Sequence, residues 1–187
     1  MCKLADNSRP NINIKQRQDS PIIGLKSFNN WIKSVVIAMW GSPALSGDSD
    51  TSANSSRRSL TKGIVLDLGC GKGGDLQKWQ KARVKFYCGL DIAETSIYQA
   101  RERAASLRSA AGFTAMFDTL DCYSHPLSRV LDKDMLSKPF DVVSMQFCMH
   151  YAFESVSKAR MMLENVARYL RVGGRFVGTI PNASLLM

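Results

Sequence analysis

The chain has 187 residues, 45% of them hydrophobic and 22% charged, a composition that fits one globular domain with a sizeable core and excludes a disordered or fibrous chain. No apolar run approaches the ~20 residues of a membrane span, and residues 1–20 lack the hydrophobic centre of a secretory signal. The formal net charge of +9 is compatible with an anionic partner such as nucleic acid, although Lys3, Arg9, Lys15 and Arg17 belong to a polar N-terminal arm.

Residues 1–20 are expected to form a flexible arm, and 21–187 one domain. Apolar residues at 28, 31, 32, 35, 36, 39 and 40 predict a helix over 28–40 that packs its Phe, Trp, Ile and Val stripe on the core. Asn29, Asn30, Lys33 and Ser34 cluster off that stripe. Residues 41–62, rich in Ser, Gly, Asp and Asn, predict a solvated loop. Alternation follows: strand 63–68, helix 74–81, strand 84–90, helix 94–110 stopping at Gly112, and a weaker strand 113–118. After an irregular stretch over 121–138 come a buried strand 140–147, a helix 155–170 ended by Gly173-Gly174, and a strand 175–180 stopped by Pro181. Such alternation demands a doubly wound α/β fold: a parallel sheet, right-handed crossovers, and helices on both faces.

The most informative stretch is Gly63-Ile64-Val65-Leu66-Asp67-Leu68-Gly69-Cys70-Gly71-Lys72-Gly73-Gly74-Asp75-Leu76. A strand ends in an acid, and a glycine cluster then turns the chain into a helix whose free N–H groups face a ligand. Gly69, Gly71 and Gly74 match the dinucleotide-binding spacing, and Asp91, twenty residues past Gly71, stands where a carboxylate takes ribose hydroxyls. On that motif alone a nicotinamide-dependent dehydrogenase remains open. Asp67 argues against it, because a carboxylate just before the glycines repels a pyrophosphate. It suits a ligand with an ammonium end and no phosphate, such as S-adenosylmethionine. Asp67 would then face the amino-acid end, Asp91 the ribose, and Asp121, just after the third strand, the adenine amino group. The cysteines at 2, 70, 88, 122 and 148 show no CxxC pairing, and with two isolated histidines no metal site is expected. Cys70, Cys88 and Cys148 are expected as buried, reduced thiols.

These residues also resemble a known family, the eukaryotic mRNA cap guanine-N7 methyltransferases, over roughly residues 22–184. The resemblance rests on Phe28-Asn29-Asn30-Trp31-Ile32-Lys33-Ser34, the glycine stretch, Asp91-Ile92-Ala93, Gln146-Phe147-Cys148-Met149-His150-Tyr151-Ala152-Phe153-Glu154-Ser155, and Gly178-Thr179-Ile180-Pro181-Asn182. It implies a Rossmann-like class I methyltransferase sheet and S-adenosyl-L-methionine as cofactor. Lys33, Gly69, Asp91, Asp121, Gln146 and Tyr151 fall on cofactor-binding positions, with Asp67 added. Asn29 and Asn30 fall on positions that touch capped RNA. Lys72, Gln77, Arg103 and His150 match cap-contacting positions, with Phe147 a further candidate; Gln77 stands where relatives can carry an apolar residue.

The implied reaction is direct in-line methyl transfer to N7 of the cap guanine of nuclear pre-mRNA. N7 carries a lone pair and no proton, so no catalytic acid, base or nucleophile is assigned. The implied partners are the capped 5′ end and other capping or transcription machinery. A methyltransferase on another substrate and a non-catalytic cap- or RNA-binding protein remain the alternatives. Methyltransferases of this type add two more strands, the last antiparallel. The chain is therefore expected to lack its C-terminal strands, to expose an apolar sheet edge, and to be weak as an enzyme.

Overall fold

In a computed structural model of the protein, the structure describes residues 21–45, 62–107, 113–182 and 184. The expected arm over 1–20, the body of the loop expected over 41–62, and the helix stop at Gly112 lie outside the described residues. The elements in chain order are α1 (Ile23–Val36), a π-helical turn (Ile37–Gly41), α2 (Ser42–Ala44), β1 (Lys62–Leu68), α3 (Leu76–Lys81), β2 (Val84–Asp91) and α4 (Glu94–Leu107). Then come β3 (Thr114–Thr119), a 3-10 turn (Leu127–Arg129), α5 (Lys133–Leu136), β4 (Phe140–Gln146), a second 3-10 stretch (Met149–Glu154), α6 (Val156–Tyr169) and β5 (Leu170–Thr179).

The five strands form one parallel sheet in the order β3-β2-β1-β4-β5. β1 is central, and the order reverses between it and β4, so a crevice opens at the carboxyl ends of β1 and its neighbours. Strand side chains alternate between faces, which explains why these strands read as nearly continuous apolar runs. Val65, Tyr87 and Val142 join Ile37, Leu76, Trp79, Ile97 and Ala100 in one core; Leu66, Cys88 and Val143 join Met162, Val166 and Tyr169 in the other. α1, α3 and α4 thus cover one face and α6 the other. The doubly wound α/β class is as expected.

Three local expectations change. The α1 stripe packs inward only toward its end: Val36 rests on the core and Ile32 and Val35 are half-buried, whereas Phe28 (56% exposed) and Trp31 (57%) face outward with Met39 and Trp40. On the polar side of the helix Lys33 bonds Asp75 at 2.9 Å and Asn30 accepts from Lys78 at 2.6 Å. Residues 42–45 are not solvated loop, since Ser42–Ala44 is helical and Ala44 and Leu45 enter the core. Gly173-Gly174 does not end a helix. The chain leaves α6 at Tyr169 straight into β5, and the glycines lie where the β4–β5 register jumps between Phe140↔Leu170 and Val142↔Arg175. Arg171, within that irregularity, donates to Asp141 Oδ1 (2.6 Å) and to the Ala44 carbonyl (2.8 Å), while Asp141 Oδ2 accepts from Ile64 N (2.7 Å).

Among the described residues nothing pairs with the outer edge of β5, where Val172 (99% exposed), Phe176 and Ile180 are exposed, and Phe176 lies level with Val143 on the face that α6 covers. An unpaired edge beside an apolar patch drives self-association. Sedimentation velocity should therefore show association of the 187-residue chain within the micromolar range. Phe28→Lys with Trp31→Lys should reduce it without lowering the melting temperature. A monodisperse wild-type chain at about 100 μM would show that the patch is innocuous.

Candidate functional site

The site is built outward from the end of β2. The Leu90 carbonyl accepts from Gly69 N (2.8 Å) and Cys70 N (3.1 Å), and Asp91 Oδ2 accepts from Gly71 N (2.8 Å). Gly69 (φ 75°) and Gly71 (φ 53°) take left-handed conformations that side chains disfavour. A Cβ at Gly69 would stand 2.6 Å from Cys148 Sγ, so the turn is packed tight there. At Gly71 a Cβ would meet nothing within 4 Å, which leaves open space over the turn at the crevice.

Three carboxylates and three lysines surround the turn. Asp91 is 9% exposed and also accepts from Ala93 N at 2.9 Å. Asp67 closes β1 at 2% exposure; Oδ2 accepts from the Tyr87 hydroxyl at 2.6 Å, and Oδ1 is buried without a partner. Burial, reinforced by the Asp75 carboxylate, pushes the Asp67 pKa up to about 7, against the opposing pull of Tyr87, Ser144 and Lys33. Lys33 Nζ comes from α1, binds Asp75 Oδ2 at 2.9 Å, and lies 3.9 Å from where a Cβ on Gly74 would be. Lys78 holds the other Asp75 oxygen at 2.8 Å. Lys72 sits half-buried within the turn.

The end of β4 supplies the neighbouring wall. Gln146 is held on both sides, donating to Ser144 Oγ (3.3 Å) and accepting from Thr179 Oγ1 (3.1 Å). Phe147 follows with φ 56°, an unusual backbone for an aromatic residue, and its N–H donates to the Thr179 carbonyl at 2.8 Å. This turn delivers His150 and Tyr151, whose rings sit 4.1 Å apart at 41°. Burial lowers the His150 pKa from its ordinary 6.5, so the imidazole is uncharged near neutrality; Nδ1 is buried without a partner. Past β3, Asp121 accepts from Tyr123 N (3.1 Å) and Ser124 Oγ (2.8 Å), which folds the chain into a turn beside the crevice.

The structure therefore gathers Lys33, Asp67, Gly69, Lys72 and Asp91 about the glycine turn, and Gln146, Phe147, His150 and Tyr151 on the adjoining β4 end. Asn30 and Gln77 line a separate cleft of about 460 Å³ between α1 and α3, with Ser34, Lys78 and Lys81. That cleft flanks the glycine turn on its outer side and is not the crevice over the strand ends. Asn29 is half-buried on α1. Arg103 lies along the body of α4, three residues from Ala100, which packs against Gly73. Among the described residues no group of His, Cys, Asp or Glu has the arrangement to hold a metal ion. The four described cysteines are unpaired, and burial pushes Cys88 and Cys148 up to about 12 and raises Cys70 and Cys122 as well. None is a thiolate near neutrality.

Sequence reasoning missed Asp75 and Tyr87. Asp75 lay within the glycine stretch, and its spacing from Lys78 was a visible clue. Tyr87 carried no signal beyond strand alternation.

The residues fit S-adenosylmethionine: an orphaned buried carboxylate oxygen for an ammonium group, a cation poised for a carboxylate, and an open turn in place of a pyrophosphate cradle. The comparisons agree in kind. The sequence model of the mRNA (guanine-N(7))-methyltransferase domain matches residues 3–187. An mRNA cap guanine-N(7) methyltransferase of Cryptococcus neoformans is 52% identical over 182 residues, 97% of this chain and 26% of that protein. The protein of the same name from Schizosaccharomyces pombe is 48% identical, covering 97% of this chain and 45% of its own length. One from Arabidopsis thaliana is 40% identical, covering 99% and 46%. The chain thus spans between about a quarter and a half of the curated relatives it matches. Among solved structures, an S-adenosylmethionine-dependent methyltransferase from Clostridium acetobutylicum superposes with TM-score 0.58 at 14% identity, over 90% of this chain and 58% of that one. A protein from Pyrococcus horikoshii gives 0.54 at 21%, over 82% and 57%. At such identities the likeness is one of fold.

The raised Asp67 pKa has a consequence for stability. A carboxyl that ionises at about 7 when folded and at 3.8 when unfolded contributes fully below the lower value and loses that contribution progressively as pH rises from the lower value to the upper one. Asp67→Asn should therefore stabilise the ligand-free chain. The gain should grow between about pH 4 and pH 7 to a few kcal/mol and stay level above. Urea unfolding across that range checks it, and a gain independent of pH would mean that Asp67 ionises in its ordinary range.

Proposed function

The chain belongs to the mRNA (guanine-N(7))-methyltransferase domain family, and on that premise we propose that it binds S-adenosylmethionine at the glycine turn and directs methyl transfer to N7 of the cap guanine of nuclear transcripts. The observation that carries the cofactor half is the buried, unpartnered Oδ1 of Asp67 beside a glycine turn pinned by Asp91. When bound, the cofactor supplies a sulfonium methyl group that is already electrophilic. The protein's work is to hold and orient.

Asp67 would take the amino group, and Lys33, exchanging its Asp75 partner, the carboxylate. Asp91, which accepts from Gly71 N and Ala93 N, would take the ribose hydroxyls. Asp121 stands for the adenine, with Gln146 and Tyr151 on the β4 side. Phe147 and His150 would hold the guanine by stacking and hydrogen bonding, and stacking of this kind contributes roughly 1–3 kcal/mol per base. An uncharged His150 suits that task, because an imidazolium would repel a base about to become cationic. Guanine N7 has no proton to lose, so no residue is assigned as acid, base or nucleophile. Lys72 would pair with a cap phosphate, Arg103 would add to it, and Asn29, Asn30 and Gln77 would touch the capped RNA from α1 and α3.

The direct test is methylation of a GpppG-capped RNA with labelled cofactor, followed by nuclease digestion to locate the methyl group. Cap binding without cofactor binding would instead identify a non-catalytic RNA-binding fragment.

Asp91→Ala should weaken S-adenosylhomocysteine binding at least tenfold by calorimetry, since hydrogen bonds to a charged acceptor contribute about 1.5–3 kcal/mol each. Unchanged affinity would remove Asp91 from the cofactor site.

His150→Ala and Lys72→Ala should reduce affinity for capped RNA while leaving S-adenosylhomocysteine affinity nearly unchanged. The Lys72 effect should fade as salt is raised, because phosphate attraction is screened. Equal losses for both ligands would mean that the two halves of the site are misassigned.

A further inference from the structure

β1 and β2 run parallel, with Asp67 opposite Gly89 and Val65 opposite Tyr87. Residues two apart on a strand share a face, so Tyr87 and Asp67 lie diagonally on the face beneath α1, α3 and α4. A tyrosine there ordinarily meets the side chain between them. Here that position is Gly89: a Cβ on it would stand 2.9 Å from Tyr87 Cε1, 2.8 Å from Phe117 Cδ1 and 3.0 Å from Cys70 Sγ. The missing side chain is the space through which the Tyr87 ring reaches Asp67. The hydroxyl donates to Oδ2 at 2.6 Å, and the ring is 0% exposed, so no water competes for the bond.

We propose that Tyr87 is a positioning residue for the amino-acid end of the cofactor: its hydroxyl favours the charged form of Asp67, orients the carboxylate and leaves Oδ1 for the ligand's ammonium group. The inference rests on the reading that this site takes S-adenosylmethionine. The groups facing Asp67 are Tyr87 from β2, Ser144 from β4, Lys33 from α1, Asp75 at the head of α3, and the thiols of Cys70 and Cys148. The one cation among them, Lys33, is already bonded to Asp75. The phenol is therefore the foremost group favouring charge on Asp67, ahead of the Ser144 hydroxyl and Lys33. It stays a donor at every working pH, because burial and the Asp67 charge raise its own pKa well above 10. Without the hydroxyl, Asp67 keeps its proton to higher pH, and a neutral carboxyl attracts an ammonium weakly. The defect is thus greatest near neutrality and fades in alkali.

Tyr87→Phe keeps the ring and its packing and removes only the oxygen. Calorimetric titrations with S-adenosylhomocysteine and with 5′-methylthioadenosine, the same nucleoside without the amino-acid end, separate the roles. For the variant we expect about tenfold weaker S-adenosylhomocysteine binding near pH 7, shrinking to under about threefold near pH 8.5, and 5′-methylthioadenosine affinity within about twofold of wild type. A loss that is constant with pH, or shared by both ligands, overturns the proposal. A second measurement needs no variant. In buffers of different ionisation enthalpy near neutral pH, S-adenosylhomocysteine binding to the wild-type chain should release a fraction of a proton and 5′-methylthioadenosine none. Absence of that difference overturns the proposal while leaving the cofactor reading intact. Failure of the wild-type chain to bind either ligand overturns both.

Discussion

Everything at this site hangs from the last two residues of β2. One carbonyl, that of Leu90, and one carboxylate, that of Asp91, together accept from the N–H groups of Gly69, Cys70 and Gly71, and the carboxylate also accepts from Ala93 N. Three consecutive donors of the turn are thereby fixed to the neighbouring strand. The β1–β2 register consequently determines where the turn lies, and the turn determines where α3 begins, where Asp75 sits, and how far Lys33 must reach. Hydrogen bonds to a charged acceptor are the stronger kind, about 1.5–3 kcal/mol each, so Asp91 acts on the architecture before it acts on any ligand.

The second organising force is the pair of polar contacts that ties α1 to the head of α3, Lys33 with Asp75 and Asn30 with Lys78. The apolar stripe of the same helix packs only in part: Val36 rests on the core, and Phe28 and Trp31 stand exposed. Through the polar contacts a helix far upstream in sequence delivers a cation to within reach of the glycine turn.

The sheet, its alternation and the glycine turn were legible in the sequence because parallel buried strands and left-handed turns leave composition signals that survive without tertiary knowledge. The Asp67, Asp91 and Asp121 carboxylates were legible as strand-end acids. What escaped was set by pairing across space. The partners of Lys33 and Asn30 on α1, Asp75 and Lys78, lie more than forty residues away. Gly173 signals a positive φ, but a helix end and a strand irregularity demand the same backbone. On α6 hydropathy does not mark the inner face: Val156 and Leu163 are exposed, while the polar Asn165 is 2% exposed. Tyr87 was invisible because its partner is reached through the absence of a side chain at Gly89.

Asn165 shows what such a misplaced polar residue does. Its Oδ1 accepts from Leu127 N at 3.1 Å, and its Nδ2 donates to the carbonyls of Cys122 and His125, each at 2.9 Å. An aspartate could not replace it, having no donors to give. The segment after β3 has little regular structure, yet a single amide on α6, packed in the same core, ties it at Cys122, His125 and Leu127. Rigidity in this crevice is therefore partly borrowed. A mutational scan scored by cofactor binding would flag a position that touches no ligand, and an inventory of contacts would never have named it.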